Sequence, residues 1–299
     1  MLTVAVSSRS LFHLEEANAI HEQQGQAAFD EFMIRTEDDP LQPGAAFSLV
    51  RKLLALNTPG DRPDRVDVVL LSRNTANAGL RVLNSVSHYK LPIEQAVFTG
   101  GVDRFRYALA MKADLVLCAE PEEARRALAS GLAAACITPF AHDPRQRDHE
   151  GVHIAFDGDS VLFDEKSDQH YREHGLASFT ESEVRNAVVP MGDGPFKRLL
   201  EKLCELQRSL PASQAHLLRT ALITARSTPA HARPILTQRS WGINVDESMF
   251  TGGRPKGPFL RAFGADMFFD DTGHNIASAG EHGIPAGLVP TGASGIVCR

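Results

Sequence analysis

Ile154-Ala155-Phe156-Asp157-Gly158-Asp159-Ser160-Val161-Leu162-Phe163 is an apolar run that meets two acids around a glycine and then turns apolar again. A buried strand gains nothing structural from ending this way. Two carboxylates one residue apart repel unless a cation or a proton sits between them. Chemistry is the better reason for such an ending. Near the other end of the chain, Val4-Ala5-Val6-Ser7-Ser8-Arg9-Ser10-Leu11-Phe12 has the same outline, with Ser7 and Arg9 where the acids stand.

Working outward, the match continues. Leu49–Leu56 (L-V-R-K-L-L-A-L) corresponds to Leu199–Leu206 (L-L-E-K-L-C-E-L). The strand-like run ending at Ser72 corresponds to the one ending at Thr224, and Tyr89 to Trp241. F-T-G-G occurs at Phe98–Gly101 and again at Phe250–Gly253, and Asp114 corresponds to Asp266. The offset stays between 150 and 152 throughout. Collinear matches at one offset predict a tandem duplication of an α/β unit of ordinary domain size. Each copy holds five short apolar strands separated by helical segments, which predicts a mostly parallel, doubly wound sheet. The expected division is a first unit at 1–138, a polar linker at 139–151 and a second unit at 152–299. Between Asp157 and Thr224 lie 66 residues, more than one crossover helix needs, so 170–190 is read as part of a cap over the strand ends.

Composition narrows the function. The 299 residues are 43% hydrophobic and 23% charged with net charge −6, the balance of a globular protein and a poor one for nucleic-acid or membrane binding. Cys118, Cys136, Cys204 and Cys298 lack metal-type spacing and read as reduced thiols of a cytosolic protein. The N-terminus does not read as a signal peptide, and no apolar run reaches the ~18 residues of a membrane span. The scattered histidines, His170, His174 and His231 among them, form no metal-ligand pattern.

In doubly wound sheets, ligands bind at the carboxyl ends of the strands. The second unit puts its polar residues there: Asp157 and Asp159, then Thr224, then Lys256 in a Gly/Pro-rich turn, then Asp270 and Asp271. Taken singly, the first pair also fits a solvated turn, Thr224 a strand end, Lys256 a surface lysine and Asp270-Asp271 a helix start. Taken together they suit phosphoryl transfer. Asp157 would attack phosphorus, and Asp159 would protonate the leaving group and then take a proton from water. Thr224 and Lys256 would bind phosphoryl oxygens. Asp157, Asp159, Asp270 and Asp271 are the candidate Mg²⁺ ligands. Arg226, Ser227, Gly252 and Gly253 are candidate substrate contacts, although a helix-start role suits the first two equally and a tight turn suits the glycines better. Tyr89 and Trp241 read as core packing.

The motifs D-G-D-S, L-I-T-A-R-S, R-P-K-G and F-F-D-D resemble those of the haloacid dehalogenase superfamily of phosphatases. From about Leu2 to Pro290 the chain resembles the cytosolic type I 5′-nucleotidase family more closely. The segments that carry this are A-V-S-S-R-S-L-F, A-F-D-G-D-S-V-L-F, L-I-T-A-R-S-x-P-A-H-x-R and F-T-G-G-x-x-K-G-P-F-L. The resemblance implies Mg²⁺-dependent hydrolysis of nucleoside 5′-monophosphates, typically AMP, in the cytosol, with oligomerisation and regulation by nucleotides. The rival readings are a phosphatase acting on a sugar phosphate or other small monoester, and a nucleotide-binding regulator without turnover. The first unit lacks the acids and should not hydrolyse esters this way. A scaffold role is the favoured reading for it. The competing one is a nucleotide or phosphate effector site, in which Arg9, Arg73 and Arg104 cluster with no carboxylates to oppose them.

Overall fold

The computed structural model describes residues 1–57, 65–137 and 149–291. Most of the expected linker and Cys298 lie outside the described residues. The chain forms two compact units, Met1–Leu132 and Ala133–Arg299.

The first unit runs β1 (Leu2–Val6), α1 (Ser8–Leu11), α2 (Glu15–Gln24), α3 (Gln26–Arg35), α4 (Phe47–Leu54) and β2 (Val66–Ser72), followed by α5 (Ala76–His88), β3 (Gln95–Phe98), α6 (Phe105–Ala110), β4 (Leu115–Cys118) and α7 (Pro121–Ala129). Its strands lie in the order β3-β2-β1-β4, and each pairing is parallel. β1 and β4 are buried along their whole length, which explains why they read as continuous apolar runs rather than alternating ones. Local chemistry sets the helix starts. Thr75 caps α5 by accepting from the Ala78 amide, and Pro121 opens α7 with Glu122 and Glu123 in its first turn.

The second unit runs β5 (Ala134–Ile137), β6 (Val152–Phe156), α8 (Lys166–Arg185), α9 (Lys197–Ser209), β7 (Leu218–Thr224) and α10 (Ala232–Ser240), followed by β8 (Glu247–Phe250), α11 (Gly257–Phe263), β9 (Met267–Asp270), α12 (Gly273–Glu281) and β10 (Ala286–Leu288). The order is β5-β10-β9-β6-β7-β8, parallel throughout except for β10 with β5. The apolar run that reads as the first copy's last strand forms β5, which pairs antiparallel with β10.

The two units repeat several details. The core strands have one order, β3-β2-β1-β4 and β8-β7-β6-β9. Asp114 accepts from the Thr3 amide and Asp266 from the His153 amide, each at 2.9 Å. The Tyr89 ring packs on Phe12 and Phe47, and Trp241 packs on Phe163; both are half-buried, at the margin of the core. Gly25 (φ 85°) separates α2 from α3, and Gly175 (φ 78°) breaks α8 into two helical halves. A left-handed extended conformation of this kind is open to glycine alone without strain. The segment read as a cap of the second unit is this broken helix, and α2 and α3 are its counterpart in the first unit, so it is not an insertion peculiar to the second. Ser167 in its first half reaches Glu183 in its second at 2.9 Å.

Candidate active site

The register of the second sheet builds the site. Phe156 on β6 pairs with Phe269 on β9, so the next residues, Asp157 and Asp270, emerge side by side at the carboxyl ends of neighbouring strands. The Asp157 amide donates to the Phe269 carbonyl at 2.8 Å and closes the ladder there. Lys256, at the start of α11, is 2% exposed. Its Nζ lies 2.7 Å from Asp157 Oδ1 and 2.7 Å from Asp270 Oδ2. This lysine is therefore no surface residue. Asp271 completes a buried cluster in which oxygens of Asp157, Asp270 and Asp271 lie within 4.8 Å of one another. Asp270 is further held by the Thr272 amide at 2.8 Å and by Asn275 Nδ2 at 3.0 and 3.1 Å.

Three carboxylates against one ammonium leave two negative charges uncompensated in a buried place. Burial pushes the Asp157 carboxyl well above its usual range; Lys256 opposes this and Asp270 adds to it. Burial, then Asp270, raises Asp271 to about 6. Burial disfavours the Lys256 ammonium, but Asp157 and Asp270 outweigh that and hold its pKa above the ordinary value. Without a cation, Asp157 and Asp271 hold their protons to higher pH than free carboxyls do. Hard oxygen donors with uncompensated charge at this spacing fit a divalent cation such as Mg²⁺.

Asp159 lies apart from that cluster's ion pairs. Arg226 grips both its oxygens, Nε to Oδ2 at 2.9 Å and Nη2 to Oδ1 at 2.6 Å, and uses its remaining nitrogen, Nη1, on the buried Glu183. Burial, which disfavours the guanidinium, is overcome by Asp159 and Glu183, so Arg226 stays charged. Thr224 ends β7 with 2% exposure, and its hydroxyl accepts from the Arg226 amide at 3.3 Å. Between Asp157 and Thr224, Ser160 sits at φ 64°. A non-glycine residue there carries strain of the kind that collects at functional sites.

The 5′-nucleotidase family model matches residues 1–295. The chain belongs to this family. The human protein Cytosolic 5′-nucleotidase 1B is 37% identical over 287 residues, which cover 93% of this chain and 47% of the relative. The chain thus spans about half the length of that curated relative. No solved structure matches.

Other sequence-predicted residues of this 5′-nucleotidase family member find different surroundings. Arg226, a candidate substrate contact, is 5% exposed and engaged by two carboxylates. Ser227 is exposed beside Gly252. The amides of Gly252 and Gly253 donate to the carbonyls of Arg226 and Ala225 at 3.2 and 3.0 Å. Gly100 and Gly101 bond Asn74 and Arg73 in the same way, so both F-T-G-G turns use these hydrogens to tie neighbouring loops. His170 bonds Ser178 and stacks on His174.

In the first unit, Arg9, Arg73 and Arg104 do line one cavity of about 600 Å³. They are not unopposed, which corrects the expectation. Arg9 pairs with Glu120, Arg73 with Glu123 at 3.3 Å, and the buried Arg104 with Glu123 at 2.5 Å. The acids come from the start of α7, where their sequence reads only as a helix N-terminus. Glu183 and Asn275 were missed as site residues. A signal existed for Glu183: the matching position of the first unit holds an apolar residue, Met33.

Proposed function

We propose that this chain is a Mg²⁺-dependent phosphomonoesterase that hydrolyses nucleoside 5′-monophosphates, AMP foremost, to nucleoside and phosphate in the cytosol. The observation that carries the reading is the buried group of Asp157, Lys256, Asp270 and Asp271 at adjoining strand ends. Asp157, Asp270 and Asp271 would hold the metal. When bound, the metal supplies the positive charge that keeps these carboxylates ionised and lowers the repulsion between Asp157 and an anionic phosphate.

The protein's own groups do the rest. A carboxylate oxygen of Asp157 forms a bond to phosphorus as the bond to the nucleoside O5′ breaks, leaving an aspartyl-phosphate. Asp159 gives its proton to the departing O5′, then takes one from the water that attacks phosphorus, which releases phosphate and restores Asp157. Since Arg226 engages both Asp159 oxygens, proton transfer requires one of them to be freed. Lys256 stays charged beside the attacking oxygen, and the Thr224 hydroxyl bonds a phosphoryl oxygen.

In this reading the two units descend from one duplicated ancestor. Residues 152–299 form the catalytic unit and the broken helix α8 acts as its cap, excluding water and selecting the leaving group. The first unit, whose three arginines are paired with Glu120 and Glu123, is a scaffold. A panel of monophosphates assayed with Mg²⁺ tests the substrate class. The expected result is faster release from AMP than from sugar phosphates; a clear preference for a sugar phosphate would overturn it.

A further inference from the structure

The core of the second unit contains a charge that the fold does not need. Glu183, 2% exposed in the second half of α8, accepts from Ser167 at 2.9 Å and pairs with Arg233 at 2.8 Å. Its other oxygen takes Arg226, whose guanidinium lies over the Phe179 ring, 5.1 Å from its centroid. Through Arg226 the line of contacts ends on both oxygens of Asp159. A buried ion pair is weak support for a fold, since apolar replacements of similar volume are often as stable.

The first unit shows such a replacement. Its matching apolar ring, Phe29, is kept and buried, while Met33 stands for Glu183 with 0% exposure and Ala17 for Ser167. Asn74 stands for Arg226, and its Nδ2 is buried without a partner. Arg9 stands for Asp159. The unit that lacks the acid therefore also lacks Ser167, Glu183 and Arg226; Arg81 stands for Arg233 and donates to the Asp39 carbonyl as Arg233 does to that of Val189, so the same helical hairpin packs without the line from Glu183 to the acid.

We propose that Glu183 is a positioning residue for proton transfer. It anchors Arg226 so that Asp159 is presented at one place over the strand ends, and so that the guanidinium stays there when Asp159 turns to the substrate. It thereby couples the hairpin of α8 to the acid-base step. This rests on the reading of Asp159 as the acid and base given above.

Leaving-group release in a single turnover tests it, measured for AMP and for p-nitrophenyl phosphate with Mg²⁺ in the full chain. A nucleoside alkoxide needs a proton to depart, whereas p-nitrophenolate does not. Glu183→Gln should slow nucleoside release about tenfold to a hundredfold, part of the 10²–10⁴ that a positioned acid contributes, and slow p-nitrophenolate release far less. In metal-free protein, the Arg226 Nε–H should exchange faster than in wild type. Equal slowing of both substrates with unchanged Arg226 exchange would overturn the proposal and leave Glu183 a structural group. Asp159→Asn is the separate arm: if it shows no selective loss on AMP, the reading of Asp159 itself fails. If Glu183→Gln does not fold, Ser167→Ala decides. The same selectivity at a few-fold level supports the proposal, and no selectivity overturns it.

Discussion

Asp271→Asn should stabilise the metal-free protein at neutral and alkaline pH. Asp271 is 5% exposed, and burial with Asp270 nearby raises its pKa from 3.8 to about 6. A carboxyl whose pKa is higher folded than unfolded favours the native state fully below the unfolded value. That contribution is lost as pH rises through the folded value. The difference between 3.8 and about 6, at 1.36 kcal/mol for each pH unit, is worth about 3 kcal/mol. Asparagine carries no charge at any of these pH values, and its single oxygen can still accept from Thr272, which donates to one Asp271 oxygen at 3.1 Å, while the longer Thr291 contact to the other oxygen, at 3.5 Å, is given up. Urea unfolding in EDTA should therefore find the variant about as stable as wild type near pH 4. By pH 8 it should be up to about 3 kcal/mol more stable. Added Mg²⁺ should reverse the order by binding the native wild type more tightly. A variant less stable than wild type at pH 8 in EDTA would refute the charge argument on which the metal site depends.

Lys256→Met should destabilise the metal-free chain by about 3–5 kcal/mol, because it leaves Asp157 and Asp270 buried without their counter-charge. Mg²⁺ should restore part of the loss in a calorimetric melt, and an unchanged melt without metal would count against the pairing. Mg²⁺ affinity should fall at least about fourfold between pH 7.5 and 5.5, since protons on Asp271, and on the raised Asp157, must be displaced. Titration calorimetry in buffers of different ionisation enthalpy would show proton release; a pH-independent affinity would contradict it.

The site was legible to the extent that it lies at strand ends. An apolar run that stops at Asp157, Thr224 or Asp270 announces where a parallel strand delivers its next side chain. Residues from helices were less legible. Glu183 and Asn275 reach the site only because α8 and α12 pack where they do, and neither spacing nor composition gives that placement. The pairing of Arg9, Arg73 and Arg104 was missed for a related reason. Glu120 and Glu123 carry a complete local explanation as a helix start, and that conceals their second role. Strand direction at 134–137 was not legible because a short apolar run reads the same both ways.

The central claim is that Asp157 is the nucleophile. Its most direct test is phosphate release from AMP with Mg²⁺, comparing wild type with Asp157→Asn and mapping any acid-stable phosphoryl group after a rapid quench. The account predicts that wild type turns over and carries the phosphoryl group on Asp157, while the variant does neither. Equal phosphate release by the two proteins would contradict it.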